Sequence, residues 1–274
     1  MTDNQNLLAE QRRALILDEV RRRGGVRVNE LTRRLSVSDM TIRRDLDALA
    51  RQGMLAKVHG GAVPVAEPST HEPGFEAKSA LEPSAKDEIA RVAAALVAPG
   101  TAIALSGGTT TYALARHLLE VPDLTVVTNS VRVADVFHEA RPNAGSEARR
   151  GAATVVLTGG VRTPSDALVG PVADRAVRSL HFDLLFLGVH GISVEAGLST
   201  PNLAEAETNR CLMRSARRVV VVADHTKWGK VGLSSFADLT EVDTWVTDRG
   251  LPGGVRAEVV EQLPGLLVAG EEPM

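Results

Sequence analysis

Between residues 86 and 250 the chain alternates short, almost wholly apolar runs with stretches of helical periodicity. The apolar runs lie at residues 101–105, 124–128, 153–159, 183–189, 217–224 and 243–248. A strand that is apolar at nearly every position is buried on both faces, because helices cover both sides of its sheet. The alternation therefore predicts an α/β fold in which a three-layer α/β/α domain surrounds a mainly parallel sheet.

Glycines, hydroxyl groups and basic residues follow the predicted strands at their carboxyl ends. Ligands of open parallel sheets bind at that edge. The stretch "LSGGTTTYALARHL" joins a strand to a helix, and its glycines let a backbone approach an anion that the helix N-terminus attracts. The alternative is a tight turn with a threonine N-cap. The candidate effector-binding residues are Ser106, Gly107, Gly108, Thr109, Thr110, Asn129, Gly188, His190, Gly191 and Lys227.

The glycine–threonine stretch predicts a particular class of ligand. It is neither a Walker motif nor the dinucleotide fingerprint, because no lysine follows the glycines and no GxGxxG is present. A small phosphorylated molecule is therefore expected, with Lys227 as the balancing cation. No cofactor is predicted, and the histidines and Cys211 show no metal-ligand spacing.

A proline-rich stretch separates two parts of opposite charge. Residues 1–63 carry 12 Lys and Arg against 8 Asp and Glu, and the rest of the chain carries 19 against 26. A basic part on an acidic body points to nucleic acid at one end. Residues 63–85 contain four prolines and few aliphatic residues, which is typical of a linker. We predict an N-terminal domain over 1–62, a linker over 63–85 and a second domain over 86–274.

Residues 38–53 are typical of a helix with one apolar face. Ile42, Leu46 and Leu49 recur at i, i+4 and i+7, and Ser38 is placed as the N-cap. A shorter helix precedes them, which predicts a helix-turn-helix whose second helix enters the major groove. The alternative is an ordinary three-helix bundle with exposed arginines. The face opposite the apolar stripe holds Met40, Arg43, Arg44, Asp47 and Arg51.

Six side chains of this domain are predicted to contact DNA. Arginine can bind guanine in a bidentate manner, and Ser or Thr can hold phosphates. The stretch "MLAKVHGGAV" after the helix alternates like the hairpin of a wing. The predicted DNA-binding residues are Ser38, Thr41, Arg43, Arg44, Lys57 and His59.

The segment "VRVNELTRRLSVSDMTIRRDLDALARQGMLAKVHGGAV" closely resembles the DNA-binding domain of DeoR-type bacterial regulators. The motifs "LSGGTTTYALARHL", "VVTNS", "LTGG", "FDLLFLGVHGIS" and "VVVVADHTKWG" resemble the effector domain of the same family over residues 75–250. That domain is similar to sugar-phosphate isomerases. The family loop often begins with Asp, where this chain has Ser106.

The resemblance implies a winged helix-turn-helix repressor of a carbohydrate operon, controlled by a phosphorylated sugar. It further implies double-stranded operator DNA as a partner and a homo-oligomer, dimer or tetramer. The related isomerases carry acids after the fourth strand, where this chain has Val189, His190 and Gly191. We therefore predict a regulator and no enzyme; the alternative is an isomerase-like enzyme that carries a DNA-binding arm. The single cysteine and the absence of an apolar span predict a cytoplasmic protein without membrane attachment.

Overall fold

The computed structural model describes residues 8–23, 25–52, 54–63, 68–140 and 152–271. The chain divides into two compact units, Met1–Pro68 and Ser69–Met274. Each unit has its own hydrophobic core. The two are described separately below.

The N-terminal unit combines three helices with a small antiparallel sheet. The strands lie in the order β1, β3, β2. This arrangement is a winged helix-turn-helix, as the sequence predicts. The elements are α1 (Ala9–Arg23), β1 (Val26–Arg27), α2 (Val28–Leu35), α3 (Asp39–Arg51), β2 (Ala56–Val58) and β3 (Gly61–Val63).

The apolar stripe of α3 forms the centre of this unit. Ile42, Leu46 and Leu49 are buried together with residues of α1, α2 and the sheet. The N-cap of α3 is Ser38, whose Oγ accepts a hydrogen bond from the backbone N–H of Thr41 at 3.2 Å. The sequence prediction of this cap and of the buried face is confirmed.

A buried carboxylate joins α1 to α3. Asp45 on α3 accepts hydrogen bonds from Arg12 Nε at 2.5 Å and Arg13 Nε at 3.0 Å. Its side chain is 3% exposed, so two cations satisfy a charge that burial would otherwise make costly. This pairing fixes α1 against the helix that carries the candidate DNA contacts.

The C-terminal unit is built on a seven-stranded sheet in which every pair of neighbours is parallel. Its order is β15, β14, β12, β9, β4, β5, β6. The strands are β4 (Ala102–Leu105), β5 (Thr125–Thr128), β6 (Thr154–Leu157), β9 (Leu184–Leu187), β12 (Val219–Val222), β14 (Thr244–Thr247) and β15 (Leu266–Val268).

Helices cover both faces of this sheet, which confirms the three-layer prediction. Ile103 and Leu105 of β4 pack in one cluster with α5, α6 and α7, while Ala104 packs in the other with α8, α9 and α10. The helices are α4 (Phe75–Ser79), α5 (Pro83–Ala94), α6 (Thr109–His117), α7 (Val131–Glu139), α8 (Pro171–Arg178), α9 (Leu203–Arg214) and α10 (Gly253–Val260).

Two small antiparallel assemblies lie between the main strands, and the apolar runs did not predict either of them. One is a three-stranded sheet in the order β10, β11, β13, and the other pairs β7 with β8. Their strands are only two to four residues long, too short for a periodic signal. They are β7 (Val161–Arg162), β8 (Leu168–Val169), β10 (Gly191–Ser193), β11 (Gly197–Thr200) and β13 (Ser234–Ala237).

The predicted linker over 63–85 differs from the structure. Val63 ends β3, residues 64–67 lie outside the described residues, and the segment from Ser69 onward belongs to the C-terminal unit. That segment contains α4 and the first turn of α5. The composition did not indicate that this segment packs on the C-terminal unit, because it has few aliphatic residues. One buried aromatic side chain, Phe75, and several hydrogen bonds hold it in place.

The central position of Leu46 leads to a prediction about the N-terminal unit. Leu46→Ala is expected to lower the free energy of unfolding of this unit by about 2–5 kcal/mol, because it leaves a cavity in a closed core. Far-UV circular dichroism during denaturation follows both units, whereas fluorescence follows the C-terminal unit, which holds Trp228 and Trp245. The fluorescence transition should not move. Met40→Ala, at a side chain 63% exposed, is the matched control; equal effects of the two variants would contradict the assigned core.

Candidate functional site

The first half of α3 presents most of the predicted DNA contacts on one surface. Arg43 and Arg44 are exposed, and Thr41 is half-buried beside the N-cap. The hydroxyls of Ser38 and Thr41 lie 2.8 Å apart and hydrogen-bond to each other. His59 is exposed in the turn between β2 and β3. Helix start and wing tip therefore expose polar groups, as a groove-reading surface requires.

Ion pairs distinguish the basic residues of this surface. Arg43 pairs with Asp39 one turn earlier, and Lys57 of the wing pairs with Asp47 of α3. The Lys57 ammonium lowers the pKa of the Asp47 carboxyl. Within the described part of the chain, Arg44 has no hydrogen bond or ion pair from its guanidinium.

Three strand ends of the large sheet meet at the loop after β4. The backbone N–H of Gly107 donates to Asn129 Oδ1 at 2.8 Å, and that of Gly188 donates to Ser106 Oγ at 2.9 Å. A side chain at residue 107 has no room, because a Cβ there would lie 2.6 Å from the Cβ of Ala167. The ends of β4, β5 and β9 are thereby held together.

Ser106 and Asn129, two of the predicted effector contacts, form hydrogen bonds that hold the loop after β4. Ser106 and Asn129 are each 1% exposed, and their polar atoms bond to backbone. Asn129 Nδ2 also donates to the carbonyl of Leu168 at 3.0 Å. Both side chains shape the loop through these bonds, and their contact with a ligand stays a prediction.

The start of α6 is open to an anion. Gly108 is its N-cap, and no side chain among the described residues caps this helix. The first N–H groups of a helix have no intrahelical acceptor, and the helix dipole favours negative charge there. Thr109 is half-buried and Thr110 is buried beside these groups. Gly108, Thr109 and Thr110 thus lie together, as the sequence predicts.

Lys227 and Lys230 reach the same edge on a loop that packs closely on β10. The backbone N–H of Gly229 donates to the carbonyl of Ile192 at 2.8 Å. A Cβ at Gly191 would lie 2.1 Å from the carbonyl oxygen of Lys230. Gly191 therefore permits the approach of the lysine loop, which is a structural reason for a glycine that the sequence analysis assigned to ligand binding.

Buried carboxylates fix the short 3-10 helix His225–Lys227. Asp224 Oδ1 accepts from the backbone N–H of Thr226 at 3.0 Å. Asp248 accepts from the backbone N–H of His225 at 2.7 Å, and its other oxygen lies 2.8 Å from His225 Nδ1. The hydrogen bond to Asp248 raises the pKa of His225. Lys227 is consequently presented from a rigid turn.

Several positive charges converge on His190. Burial, together with the charges of Lys78, Lys227 and Lys230, lowers the pKa of the His190 imidazole to about 4. Burial likewise lowers the pKa of the Lys227 ammonium to about 8, while the nearby Asp224 carboxylate opposes this shift. A neutral imidazole thus lies among lysine cations.

These lysines lack local partners. Within the residues that the structure describes, the ammonium groups of Lys78, Lys227 and Lys230 form no hydrogen bond and no ion pair. The nearby carboxylate of Asp224 is 1% exposed, and its Oδ2 likewise has no partner in the described chain. The carboxylates of Asp224, Glu72 and Glu205 act on these lysines without forming an ion pair with them, so the three ammonium groups keep their donors for a bound anion.

Lys86 is a further buried cation that the sequence analysis missed. It is 3% exposed, and its Nζ donates to the carbonyl of Lys78 at 2.5 Å and to that of Leu81. Burial lowers its pKa, and Asp224 and Glu82 oppose the shift. The available signal was spacing, because Lys86 precedes the apolar residues Ile89, Ala90 and Ala93 by three, four and seven positions, which puts it on the same face of a helix. For Lys78 and Lys230 the sequence carries no comparable signal, because only the tertiary fold brings them together.

Among the described residues, no group of three or more His, Cys, Asp or Glu side chains is arranged to hold a metal ion. No described helix has the length and apolar character needed to cross a membrane.

Comparisons with known proteins match both units. A family model described as the DeoR-like helix-turn-helix domain matches residues 12–67, and one described as the DeoR C terminal sensor domain matches residues 82–249. The HTH-type transcriptional regulator GlpR of Haloferax volcanii is 36% identical over 254 residues, which cover 92% of this chain and 95% of that protein. The glycerol-3-phosphate regulon repressor of Escherichia coli is 30% identical over 246 residues, 89% of this chain and 93% of that protein.

Solved structures are similar to part of the chain at low identity. Ribose 5-phosphate isomerase A from Methanocaldococcus jannaschii is 16% identical, with a TM-score of 0.36. The likeness covers 52% of this chain and 53% of the isomerase.

The environment of His190 predicts its titration. In an NMR titration its ring, assigned by loss of the signal in His190→Gln, should have a midpoint near pH 4 and be neutral at neutral pH. Lys227→Met removes a positive charge that disfavours the imidazolium, so the pKa of His190 should rise. Lys57→Met, in the other unit, should leave it unchanged. A wild-type midpoint near the ordinary value of 6.5, or no rise in Lys227→Met, would show that the cations do not converge on His190.

Proposed function

This chain belongs to the DeoR family of transcriptional regulators, and we propose that it represses a carbohydrate operon until a phosphorylated sugar binds the C-terminal unit. The observation that carries the proposal is the set of three lysine ammoniums without partners in the described chain, together with the uncapped start of α6 at the carboxyl edge of the same sheet.

A phosphate group fits this arrangement better than a neutral sugar does. Its charge of about −1.5 to −2 at neutral pH balances the lysines, and its oxygens accept bonds from helix N–H groups and from hydroxyls. Thr109 and Thr110 begin α6 after β4, and Lys227 ends the 3-10 helix after β12, so both elements offer donors to a compact anion at the carboxyl edge of one sheet. A relative whose name includes glycerol-3-phosphate agrees with a small phosphorylated effector.

Recognition of the effector does not require a reaction. Isomerisation of a sugar phosphate needs a base whose pKa lies near the working pH. The residues after β9 are Gly188, Val189 and His190, which include no carboxylate, and the imidazole is a weak base with a pKa of about 4. Both relatives described above are named as transcriptional regulators, not enzymes.

In the N-terminal unit, α3 is the proposed recognition helix. Arg44 is exposed and has no local partner in the described structure, so it can bind a base edge without first breaking an ion pair. Arg43 and Lys57 must exchange carboxylate partners for DNA. A symmetric homo-oligomer, dimer or tetramer, would place two such helices on an operator in the cytoplasm.

The difference between the arginines yields a prediction. Arg44→Ala is expected to weaken binding by about 1–3 kcal/mol for the matched base pair, because a bidentate contact is lost. Fluorescence anisotropy at fixed salt measures this on a duplex that the wild-type protein selects from a random pool. Arg116→Ala, exposed on α6, is the control.

Lys57→Ala should instead weaken binding to all duplexes and flatten the salt dependence, since a phosphate contact is not sequence-specific. If Arg43→Ala and Arg44→Ala both retain wild-type affinity, α3 is not the recognition helix.

The proposed phosphate contacts should weaken together. Calorimetric titrations use glycerol 3-phosphate, fructose 1-phosphate and glucose 6-phosphate, each against the unphosphorylated compound. Thr110→Val keeps the shape but removes a donor, which should cost about 1.5–3 kcal/mol against a charged group. Lys227→Met should cost as much or more, and the double variant less than the sum, because both contact one group.

Glu120→Gln, at an exposed site after α6, serves as the control for these titrations. Equal binding of phosphorylated and unphosphorylated compounds would contradict the phosphate site. So would wild-type affinity in both Thr110→Val and Lys227→Met.

A further inference from the structure

The segment that leads out of the N-terminal unit is fastened onto the C-terminal unit. We call residues 69–82 the strap. Its first carbonyl, that of Ser69, accepts from the backbone N–H of Leu233 at 2.9 Å. Further along, the backbone N–H of Phe75 donates to the carbonyl of Pro164 at 3.2 Å. The strap is thus attached at its beginning and at the start of α4.

A carboxylate of the strap joins two separate elements of the sensor unit. Glu72 Oε1 accepts from Ser165 Oγ at 2.9 Å, and its Oε2 accepts from Asn202 Nδ2 at 3.1 Å. Asn202 is also the N-cap of α9. These bonds connect the strap to the β7–β8 ribbon and to the helix that packs beneath it.

The aromatic residue of the strap rests on the helix that begins at the candidate phosphate site. Phe75 is buried, and its ring meets Tyr112 of α6 edge to face, with centroids 5.6 Å apart. The Arg132 guanidinium lies over the Phe75 ring, 4.2 Å from its centroid, and forms a cation–π contact with it. The position of the strap is therefore coupled to α6 and α7.

The strap also carries a cation into the site. Lys78 on α4 is half-buried, and its ammonium has no hydrogen bond or ion pair in the described chain. Phe75, one turn earlier on α4, packs on Tyr112 of α6, and the charge of Lys78 contributes to the lowered pKa values of His190 and Lys227, so Lys78 lies on the side of the sensor unit that carries the site. Glu205 and Glu72 act on Lys78 in turn, but neither forms an ion pair with it.

Resting on the proposed function, we infer that Lys78 binds the phosphate of the effector, and that this contact makes DNA affinity depend on the effector. Lys78 lies on the segment that begins where the N-terminal unit ends, at Pro68. Thr110 and Lys227 lie instead on elements anchored in the core of the sensor unit. The strap is therefore the described part of the sensor unit that lies nearest in sequence to the DNA-binding unit.

Linkage makes this inference measurable. An effector changes DNA affinity only through contacts that differ between the DNA-bound and DNA-free states. A contact made equally in both states, such as that of Thr110, contributes to affinity but not to coupling. A contact made through a strap that shifts between the states contributes to both.

The experiment compares three variants of the full chain, Lys78→Met, Lys78→Arg and Thr110→Val. The probes are inorganic phosphate and the three sugar and glycerol phosphates named above, with ionic strength held constant by chloride. Titration calorimetry gives the affinity for each probe. Anisotropy on the selected duplex gives the coupling ratio, which is the DNA dissociation constant at saturating probe divided by that of the same variant without probe.

Both Thr110→Val and Lys78→Met should bind the phosphates about tenfold more weakly or worse. At saturation Thr110→Val should retain the wild-type coupling ratio, whereas that of Lys78→Met should fall toward one. Lys78→Arg keeps the charge and should recover much of both quantities. Glu72→Gln keeps Lys78 but loosens the strap, so it should reduce the ratio more than it weakens phosphate binding.

Each contrary outcome has one meaning. Wild-type phosphate affinity in Lys78→Met, or a wild-type ratio at saturation in Lys78→Met and Glu72→Gln, overturns the role of the strap and leaves the proposed function standing. If the wild-type chain binds none of the phosphates, or if none changes its DNA affinity, the proposed function fails and this inference fails with it.

Discussion

A parallel sheet covered by helices on both faces leaves polar function only at the ends of its strands. Inside the seven-stranded sheet, residues such as Leu185 and Val220 are fully buried and apolar. Polar groups can therefore converge only where the chain leaves a strand. Asn129 and Ser106 hold the ends of β4, β5 and β9 together through backbone N–H groups, and the open start of α6 follows from that loop.

Burial of lysine charges at this edge is unfavourable, and the elements that carry the lysines are held by several hydrogen bonds. Burial lowers the pKa of Lys227 to about 8, so the charged form is held against its preference. Asp224 and the His225–Asp248 pair keep its turn in place rather than neutralise it with a direct ion pair. Binding sites are commonly less stable than the core for this reason, and a bound anion returns the stability by mass action.

The sequence predicted features that depend on local periodicity. The strands of the large sheet, the stripe of Ile42, Leu46 and Leu49, and the loop at Gly107 are of this kind. It did not predict the strap, because Phe75 and Glu72 act through partners distant in the chain, such as Tyr112 and Asn202. The position of Asn129 after a strand indicates that it lies near the site. Only the fold shows that its amide forms hydrogen bonds with the backbone of Gly107 and Leu168, which are distant in the chain.

The lysines that attract an anion also determine what the site can do with it. Burial, together with the charges of nearby lysines, keeps the His190 imidazole neutral and weakly basic, so this residue cannot easily remove a proton. An enzyme would need an acid or base at this point, and Val189 and Gly191 flank His190 instead. A sensor needs only that occupancy alter the balance between two arrangements of the chain. In the role proposed for Lys78, a cation on the strap would meet that need with one contact, whereas further contacts at the sheet edge would raise effector affinity without changing that balance.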